Sequence, residues 1–439
     1  MNADTYGTPR VLVLGGYGLI GSGIVAELQN GGFDPVGFGR SQRTALKVHK
    51  SLEWRFGDLR DFQVAADWSV YLEGIDFVVN AAGALQDGPE DDLQAVHVTA
   101  ISALAQACAE RDIGLVQVSA AGVSQDAKTS FFRTKAEGDK AVEAAGGRTW
   151  ILRPGLVLAQ TGYGGTALLR MLSAIPFVQP LALKDTPIQS VGLPDVARAV
   201  RACLDKTIAP NTTADLVEET AHSLGSLQKQ MRDWLGFEPA RLEIPLPRFL
   251  LRPVGAVADG LGRLGWRSPL RSAALLTLQD GIKGDPKTWQ GLGGAPMKNL
   301  PEILAQMPAR AEDRVSARMA LLMPICVAAL ALFWFLSGII GLARISVAAQ
   351  TLIDVGWPSF LAQASVGFWA LVDIALAVAI LWRKTARQAC IGMSAVCMIY
   401  LVSASVVTPA LWLDPLGPLV KIMPAFILSL VTLALLEKR

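Results

Sequence analysis

The sequence contains little histidine, little cysteine and little charge. Among its 439 residues there are three His and five Cys, and no two Cys stand in a CxxC spacing. Zinc, haem and iron–sulfur sites depend on such ligand clusters, so we predict no metal site. The net charge is +2 and no long block of like charge occurs, which gives nucleic-acid binding little support.

The few charges are also unevenly distributed, because only 7 Lys or Arg and 4 Asp or Glu lie between residues 319 and 439. That region contains four long apolar stretches, and about 20 apolar residues cross the ~30 Å hydrocarbon layer of a bilayer. We therefore predict four transmembrane helices, with a buried helical hairpin in a soluble fold as the alternative. The stretches are Met319–Ala343, Val355–Trp382, Gln388–Leu413 and Leu416–Leu436.

Basic residues cluster at one side of these stretches. By the positive-inside rule such loops face the cytoplasm, which predicts a multi-pass protein of the inner membrane with its large N-terminal part in the cytoplasm. The first apolar run, Val11–Leu14, is too short for a signal peptide. The basic residues are Arg310, Arg314 and Arg318 before the first stretch, Arg383, Lys384 and Arg387 after the second, and Lys438 and Arg439 at the end.

Asp373 lies inside the second apolar stretch. An ionisable group within a membrane span is a functional candidate, here for proton or quinone chemistry. The alternative is a structural hydrogen bond to another helix, such as a Ser or Thr side chain of the third stretch. The sequence leaves both interpretations open.

A glycine motif follows directly on Arg10–Leu14, a run that is typical of a buried parallel strand. Gly15 permits the tight turn, Gly18 lets a pyrophosphate approach the backbone, and Gly21 allows close packing of helix and strand. The next helix directs its N-terminus at the anion. The motif therefore predicts a dinucleotide site that includes Gly15, Tyr17, Gly18, Leu19, Ile20 and Gly21.

Short apolar strands alternate with helical segments as far as about residue 220. This pattern predicts a doubly wound parallel α/β sheet of the Rossmann type, with ligands outside the carboxyl ends of the strands. The second strand ends at Arg40, where an acidic residue usually binds NAD, and Arg43 and Lys47 follow. Because an Arg accommodates a 2′-phosphate, we predict NADP(H) over NAD(H), and a solvated loop charge is the alternative.

Six motifs resemble the extended or atypical short-chain dehydrogenase/reductase superfamily, of the NAD-dependent epimerase/dehydratase type. They are GGYGLIG (15–21), GDL (57–59), NAAG (80–83), VSAAG (118–122), FFRTKAEGDKAV (131–142) and ILRPGLV (151–157). The resemblance implies cofactor contacts by Asp58, Leu59, Ala81, Ala82, Gly83, Lys135, Pro154, Gly155 and Leu156. The tail resembles the DoxX-like four-helix membrane domain in its second-helix aspartate and its LWLDPLGPLVK stretch (411–421).

The superfamily's chemistry uses a Ser, a Tyr as proton donor and a Lys four residues after the Tyr. Here Ser119 and Lys135 match, but Phe131 stands at the Tyr position. A phenyl ring has no proton to give, and general acid–base catalysis contributes ~10²–10⁴-fold. Ser119, Lys135 and Asp373 are therefore the candidate catalytic residues, and Tyr163 is either a substitute donor or a loop residue over the cofactor.

Residues 221–310 are predicted to form a smaller substrate-side lobe between a Rossmann domain (1–220) and the membrane domain (319–439). Its segment from Pro245 to Leu278 interleaves Arg with apolar and aromatic side chains. Such a segment is typical of a helix at a membrane surface, and a lobe helix with solvated Arg side chains is the alternative. The Arg residues are Arg248, Arg252, Arg263, Arg267 and Arg271.

These features predict a membrane-anchored NADP(H)-binding protein which, as an oxidoreductase, passes hydride to a hydrophobic or quinone-type acceptor. Phe131 favours an alternative, a redox-inert nucleotide-binding accessory subunit or sensor docked to a membrane complex. A sugar epimerase or dehydratase is a third alternative, but its chemistry relies on the missing Tyr. The expected partners are the dinucleotide, the lipid bilayer and a hydrophobic substrate. His97 is either a packing residue or a proton shuttle.

Overall fold

The computed structural model describes residues 8–84, 87, 92–266, 270–415 and 417–436. Four positions of the sequence predictions lie outside the described residues: Arg267, Leu416, Lys438 and Arg439. The described chain divides into two units. Residues 8–259 and 270–314 form the first unit, and residues 260–266 and 315–436 form the second.

The strands all belong to the first unit. They are β1 (Arg10–Leu14), β2 (Asp34–Gly39), β3 (Glu53–Phe56), β4 (Phe77–Asn80), β5 (Gly114–Val118), β6 (Thr149–Pro154), β7 (Leu156–Leu158), β8 (Val178–Ala182), β9 (Pro187–Ile188), β10 (Ser190–Gly192), β11 (Thr212–Leu216), β12 (His222–Ser223) and β13 (Leu242–Leu246). Seven of them pair in parallel in the order β3-β2-β1-β4-β5-β6-β11. The chain reverses its direction across the sheet between β1 and β4, and ligands bind at such a switch point in open α/β sheets.

The main sheet is buried on both faces. Side chains along a strand alternate between faces, so Leu12 and Leu14 of β1 join one buried cluster whereas Val11 and Val13 join another. Continuous apolar strands of this kind are typical of parallel sheets that helices cover on both sides. The predicted doubly wound α/β fold is confirmed.

Eleven α-helices accompany the strands in the part of the chain up to residue 306 that the structure describes. They are α1 (Leu19–Asn30), α2 (Gln42–Val48), α3 (Ala100–Glu110), α4 (Ser130–Ala144), α5 (Gly164–Ser173), α6 (Leu193–Leu204), α7 (Leu224–Trp234), α8 (Arg248–Arg263), α9 (Ser272–Gln279), α10 (Pro286–Gly291) and α11 (Leu300–Gln306). Short 3₁₀ turns follow β3, and a π-helical turn, Ala95–Thr99, leads into α3. The boundary of the predicted lobe at residue 220 stays a prediction.

Among its described residues, the second unit contains four helices that are long and apolar enough to cross a membrane. They are α12 (Ala311–Ala343), α14 (Ser359–Ala379), α15 (Ala386–Val407) and α16 (Pro418–Leu436), with the shorter α13 (Ile345–Ile353) after the first. Large apolar side chains such as Leu332 and Phe360 point outward, which suits a lipid environment. The predicted four apolar spans are confirmed, although α13 was not predicted and α12 begins eight residues earlier than expected.

Candidate functional site

Three glycines at the turn between β1 and α1 stand where there is no room for a side chain. Gly15 has a φ of +71°, and a Cβ there would lie 3.0 Å from the carbonyl oxygen of Ala81. A Cβ on Gly18 would lie 3.1 Å from the Gly15 oxygen, and one on Gly21 would overlap the Gly15 backbone. The main chain at this turn is therefore bare, so that a ligand can approach it closely.

Helix α1 begins at this turn without a side-chain cap, since its N-cap residue is Gly18. The first N–H groups of a helix have no partner within the helix and carry partial positive charge. The N–H groups of Leu19 and Ile20 belong to this first turn. They can therefore serve as donors to an anionic group such as a diphosphate.

Tyr17 of the glycine turn contacts the segment that follows β2. Its hydroxyl accepts hydrogen bonds from the backbone N–H groups of Arg40, at 3.1 Å, and Ser41, at 3.3 Å. Its ring covers Gly39, where a Cβ would overlap it, and lies 5.8 Å from the ring centre of Trp54. The tyrosine hydroxyl is thus the acceptor for the main-chain N–H groups just after β2. The sequence did not indicate this contact.

Asp58 and Leu59 follow β3, but their side chains have different surroundings. The side chain of Arg60 donates to both carboxylate oxygens of Asp58, and this bond lowers the pKa of Asp58, with a further contribution from the charge of Arg40. Leu59 is buried in the core beside β2, with Phe38 and others. The predicted cofactor contacts of Asp58 and Leu59 stay predictions.

The loop after β4 is held by His97. The Ala84 N–H donates to His97 Nε2 at 3.1 Å, so the ring proton lies on Nδ1, which contacts Thr134 Oγ1 at 2.9 Å. Thr134 Oγ1 in turn donates to the Phe131 carbonyl oxygen. Burial, together with the nearby Lys135 charge, lowers the pKa of His97 to about 2. His97 is thus a neutral imidazole whose two hydrogen bonds connect this loop to α4. This position agrees with the interpretation of His97 as a packing residue.

Lys135 lies on α4, and its amine points toward the loops that follow the carboxyl ends of the strands of the main sheet. The side chain is 6% exposed, and Nζ donates to the Val118 carbonyl oxygen at 3.2 Å. A Cβ on Gly83 would lie 3.3 Å from this Nζ, so the lysine amine and the loop after β4 are neighbours. Burial lowers the pKa of Lys135 to about 8, against the raising effect of the Asp139 charge. The amine can change its charge state near neutral pH.

The hydroxyl of Ser119 has a different hydrogen-bond partner from that of Lys135 Nζ. Its hydroxyl donates to Asp139 Oδ2 at 2.8 Å, and Arg153 Nε donates to the same oxygen at 2.9 Å. Burial raises the pKa of Asp139, while Arg153 and Ser119 oppose that change. Sequence reasoning missed Asp139 and Arg153, although Asp139 follows Lys135 by four residues and so shares its helix face. A catalytic role for Ser119 stays a prediction.

Phe131 lies one helical turn before Lys135. Its ring meets the His97 ring edge to face, with centres 5.7 Å apart. The position of the missing hydroxyl is therefore occupied by an aromatic carbon surface. Tyr163, the substitute donor considered from the sequence, precedes α5 and is 61% exposed. Its role stays a prediction.

The chain at Pro154 and Gly155 connects β6 to β7 at the same edge of the sheet. The Gly155 N–H donates to the Leu216 carbonyl oxygen at 3.0 Å, and a Cβ at Gly155 would overlap the Gln189 backbone. Leu156 then begins β7, which pairs with β10. Glycine is thus required at this position, and the predicted segment lies at the carboxyl end of β6 beside those of β5 and β11.

Asp373 lies in the second unit, on α14. Its Oδ2 accepts a hydrogen bond from the Ser337 hydroxyl of α12 at 2.8 Å. A hydrogen bond to a Ser of another helix, which was the alternative to a functional role, is thus present. Its partner lies on α12 and not on the third span, because α12 packs closely on α14 through Gly338, where a Cβ would meet the Ala370 backbone. The functional role of Asp373 stays a prediction.

A family model described as the RmlD substrate binding domain matches residues 9–230, which is just over half of the chain. The chain belongs to this family. A second model, of the DoxX-like family, matches residues 331–430 in the second unit. The expected combination of a short-chain-dehydrogenase-like domain with a DoxX-like membrane domain is thereby confirmed.

Solved structures share the fold at low identity. The enzyme WbmH of Bordetella bronchiseptica, in complex with NAD⁺, aligns with a TM-score of 0.52 and 18% identity over 72% of this chain and 99% of that chain. UDP-glucose 4-epimerase of Thermotoga maritima, with UDP-glucose, aligns with a TM-score of 0.52 and 15% identity over 68% and 97%. No curated protein matches the sequence. The likeness to these enzymes establishes the fold alone.

Proposed function

We propose that this chain binds a nicotinamide dinucleotide at the carboxyl edge of the main sheet. The observation that carries the proposal is the bare glycine turn at the uncapped start of α1, because a diphosphate needs open main chain and free N–H donors. The NAD⁺ bound by the similar Bordetella enzyme supports the same ligand class. When bound, the nicotinamide supplies or accepts a hydride.

Lys135 is the residue that we assign to the nicotinamide ribose. An ammonium carries three protons, and among the described residues Nζ donates to the carbonyl oxygen of Val118. Its remaining donors suit ribose hydroxyls. Lys135 is at the same time held near Gly83 of the loop after β4, which we assign with Ala81 and Ala82 to the path of the dinucleotide.

We assign NADP(H) as the preferred form. Arg40 directly follows β2, and Arg43 and Lys47 add positive charge along the next helix. A 2′-phosphate is favoured by such cations, whereas the 2′-hydroxyl of NAD is usually bound by an acidic residue. Arg40 also contributes to the lowered pKa of Asp58, so its charge lies close to that carboxylate.

The reaction that we propose is hydride transfer from NADPH to a hydrophobic or quinone-type acceptor from the membrane. The DoxX-like helices support an acceptor that is soluble in lipid. We assign proton transfer within the second unit to Asp373, whose carboxyl group Ser337 orients. The basic loops support an inner-membrane location with the dinucleotide unit in the cytoplasm.

A second candidate is a redox-inert accessory subunit or sensor in which the dinucleotide stabilises the fold. Phe131 supports it, because this ring replaces the family's proton donor. The neutral His97 supports it too, since both ring nitrogens have partners and its low pKa prevents it from shuttling protons.

One experiment distinguishes the two candidates. Purified protein in lipid is mixed with NADPH and a short-chain quinone, and the absorbance of the reduced nicotinamide is followed. The oxidoreductase proposal expects quinone-dependent oxidation that is lost in Asp373→Asn. Binding of NADPH without turnover would reject the oxidoreductase and support the accessory role.

A matched variant controls for a loss of packing in the second unit. Ser337→Ala removes the partner of Asp373 but keeps the carboxyl group. We expect Ser337→Ala to retain most of the turnover. If Ser337→Ala and Asp373→Asn lose turnover equally, the proposed proton role of Asp373 is wrong and packing explains both losses.

A further inference from the structure

Helix α8 carries an apolar stripe that no described part of the protein covers. The stripe consists of Leu250, Val254, Val257 and Leu261, which are spaced by four, three and four residues and so share one face. Their side chains are 41%, 42%, 65% and 38% exposed. Four neighbouring exposed apolar side chains on one helix face mark an interaction surface.

The stripe is separate from the face by which α8 packs on protein. The buried residues of the helix are Leu251, Gly255 and Ala258. A Cβ on Gly255 would lie 2.6 Å from the Ser272 hydroxyl of α9, so this face is tightly packed. The residues of the α8 stripe therefore do not belong to the face by which the helix packs on the rest of the protein.

The charged side of α8 lies opposite the stripe. Arg248, Arg252 and Arg263 are each two positions from a stripe residue, which corresponds to about 200° around the helix. All three side chains are exposed. An apolar face opposite a basic face is the pattern of a helix that lies in the plane of a bilayer surface.

The end of α8, from residue 260 onward, belongs to the second unit, which contains the four apolar helices. Trp266 Nε1 donates to the Leu381 carbonyl oxygen at 2.6 Å, and the Arg383 N–H donates to the Leu264 carbonyl oxygen at 3.0 Å. The Arg383 guanidinium lies 5.7 Å from the Trp266 ring centre. Since the span α14 ends at Ala379, these contacts lie just beyond a span end, where Trp and Arg are enriched at membrane–water interfaces.

We propose that the α8 stripe inserts into the bilayer, at the boundary between headgroups and acyl chains of an anionic leaflet. Continuity with the end of α14 places the helix terminus at that boundary, and the Arg side chains add attraction to anionic headgroups. The inference is independent of the nucleotide and of any reaction.

The test measures how deep two neighbouring positions lie in the bilayer. Full-length protein in bilayers of phosphatidylcholine and phosphatidylglycerol carries one spin label, at Val257→Cys or, as the matched control, at Ala256→Cys. Ala256 is exposed and lies on the side of Arg252. Both variants are made in a Cys326→Ser background, because the other four Cys are buried.

The proposal expects the label at position 257 to collide more often with dissolved oxygen than with a water-soluble nickel chelate. The label at position 256 should show the reverse order. Equal, water-like accessibility of both labels would overturn the proposal. Low accessibility of position 257 to both reagents would also overturn it, because a protein partner would then cover the stripe.

Discussion

The hydroxyl of Tyr17 accepts a hydrogen bond from the backbone N–H of Arg40 across 3.1 Å. This bond connects the glycine turn after β1 to the first residue after β2. In dinucleotide folds the adenosine ribose binds near these two segments. We therefore expect the choice between NADP(H) and NAD(H) to depend on both residues.

Replacing Arg40 with Asp should reverse the preference for NADP(H). A carboxylate at this position repels a 2′-phosphate and can bind a ribose 2′-hydroxyl. The affinities of NADPH and NADH, measured by calorimetry for Arg40→Asp and for the charge-matched surface variant Lys50→Asp, test this. An unchanged ratio of the two affinities in Arg40→Asp would refute the assignment of Arg40.

Tyr17→Phe should raise the affinity for NADPH relative to NADH. The substitution frees the N–H groups of Arg40 and Ser41, which can then donate to a 2′-phosphate. One net hydrogen bond is worth about 0.5–1.5 kcal/mol, so the affinity ratio should change by no more than about tenfold. A ratio that falls in Tyr17→Phe would instead mean that the tyrosine hydroxyl itself helps to bind the phosphate.

The affinity for NADPH should weaken above about pH 8, the pKa to which burial lowers Lys135. Below that pH the free protein already carries the charged amine, so binding takes up no proton there. Above it the neutral amine must gain a proton on binding, and affinity falls by up to about tenfold per pH unit. Lys135→Met should bind more weakly and lose this dependence, whereas Lys140→Met, on the exposed side of α4, should keep it.

His97→Leu should lower the thermal stability without adding or removing a pH-dependent step. The variant removes the acceptor of the Ala84 N–H and the hydrogen bond between His97 and Thr134, and an N–H group left without a partner costs about 1–3 kcal/mol. Because the pKa of His97 is about 2, the dependence of NADPH affinity on pH around the ordinary histidine value of 6.5 should be the same in wild type and in His97→Leu. A step there that disappears in His97→Leu would make His97 a titrating group.

Some of the polar residues discussed above could be predicted from the sequence, and others could not. The glycines were found because their spacing in one strand–turn–helix unit is itself the signal. Lys135 was found because it matches the superfamily's Lys four residues after the Tyr position. Asp139 and Arg153 were missed, since they meet only when β6 lies beside β5 and α4 covers both. Asp373 was found as an ionisable group inside an apolar stretch, but its hydrogen-bond partner lies on α12 and not on the third span.

The sequence by itself determined the alternation of strands and helices, the glycine turn and the four apolar helices, because these depend on local periodicity and on segment length. Only the tertiary structure decided that Tyr17 binds the main chain at Arg40, that Ser119 faces Asp139, and that Ser337 meets Asp373. Each of these pairs is separated by at least 20 residues. Which distant side chains meet is set by strand order and helix packing, and neither is encoded in the neighbourhood of any one residue.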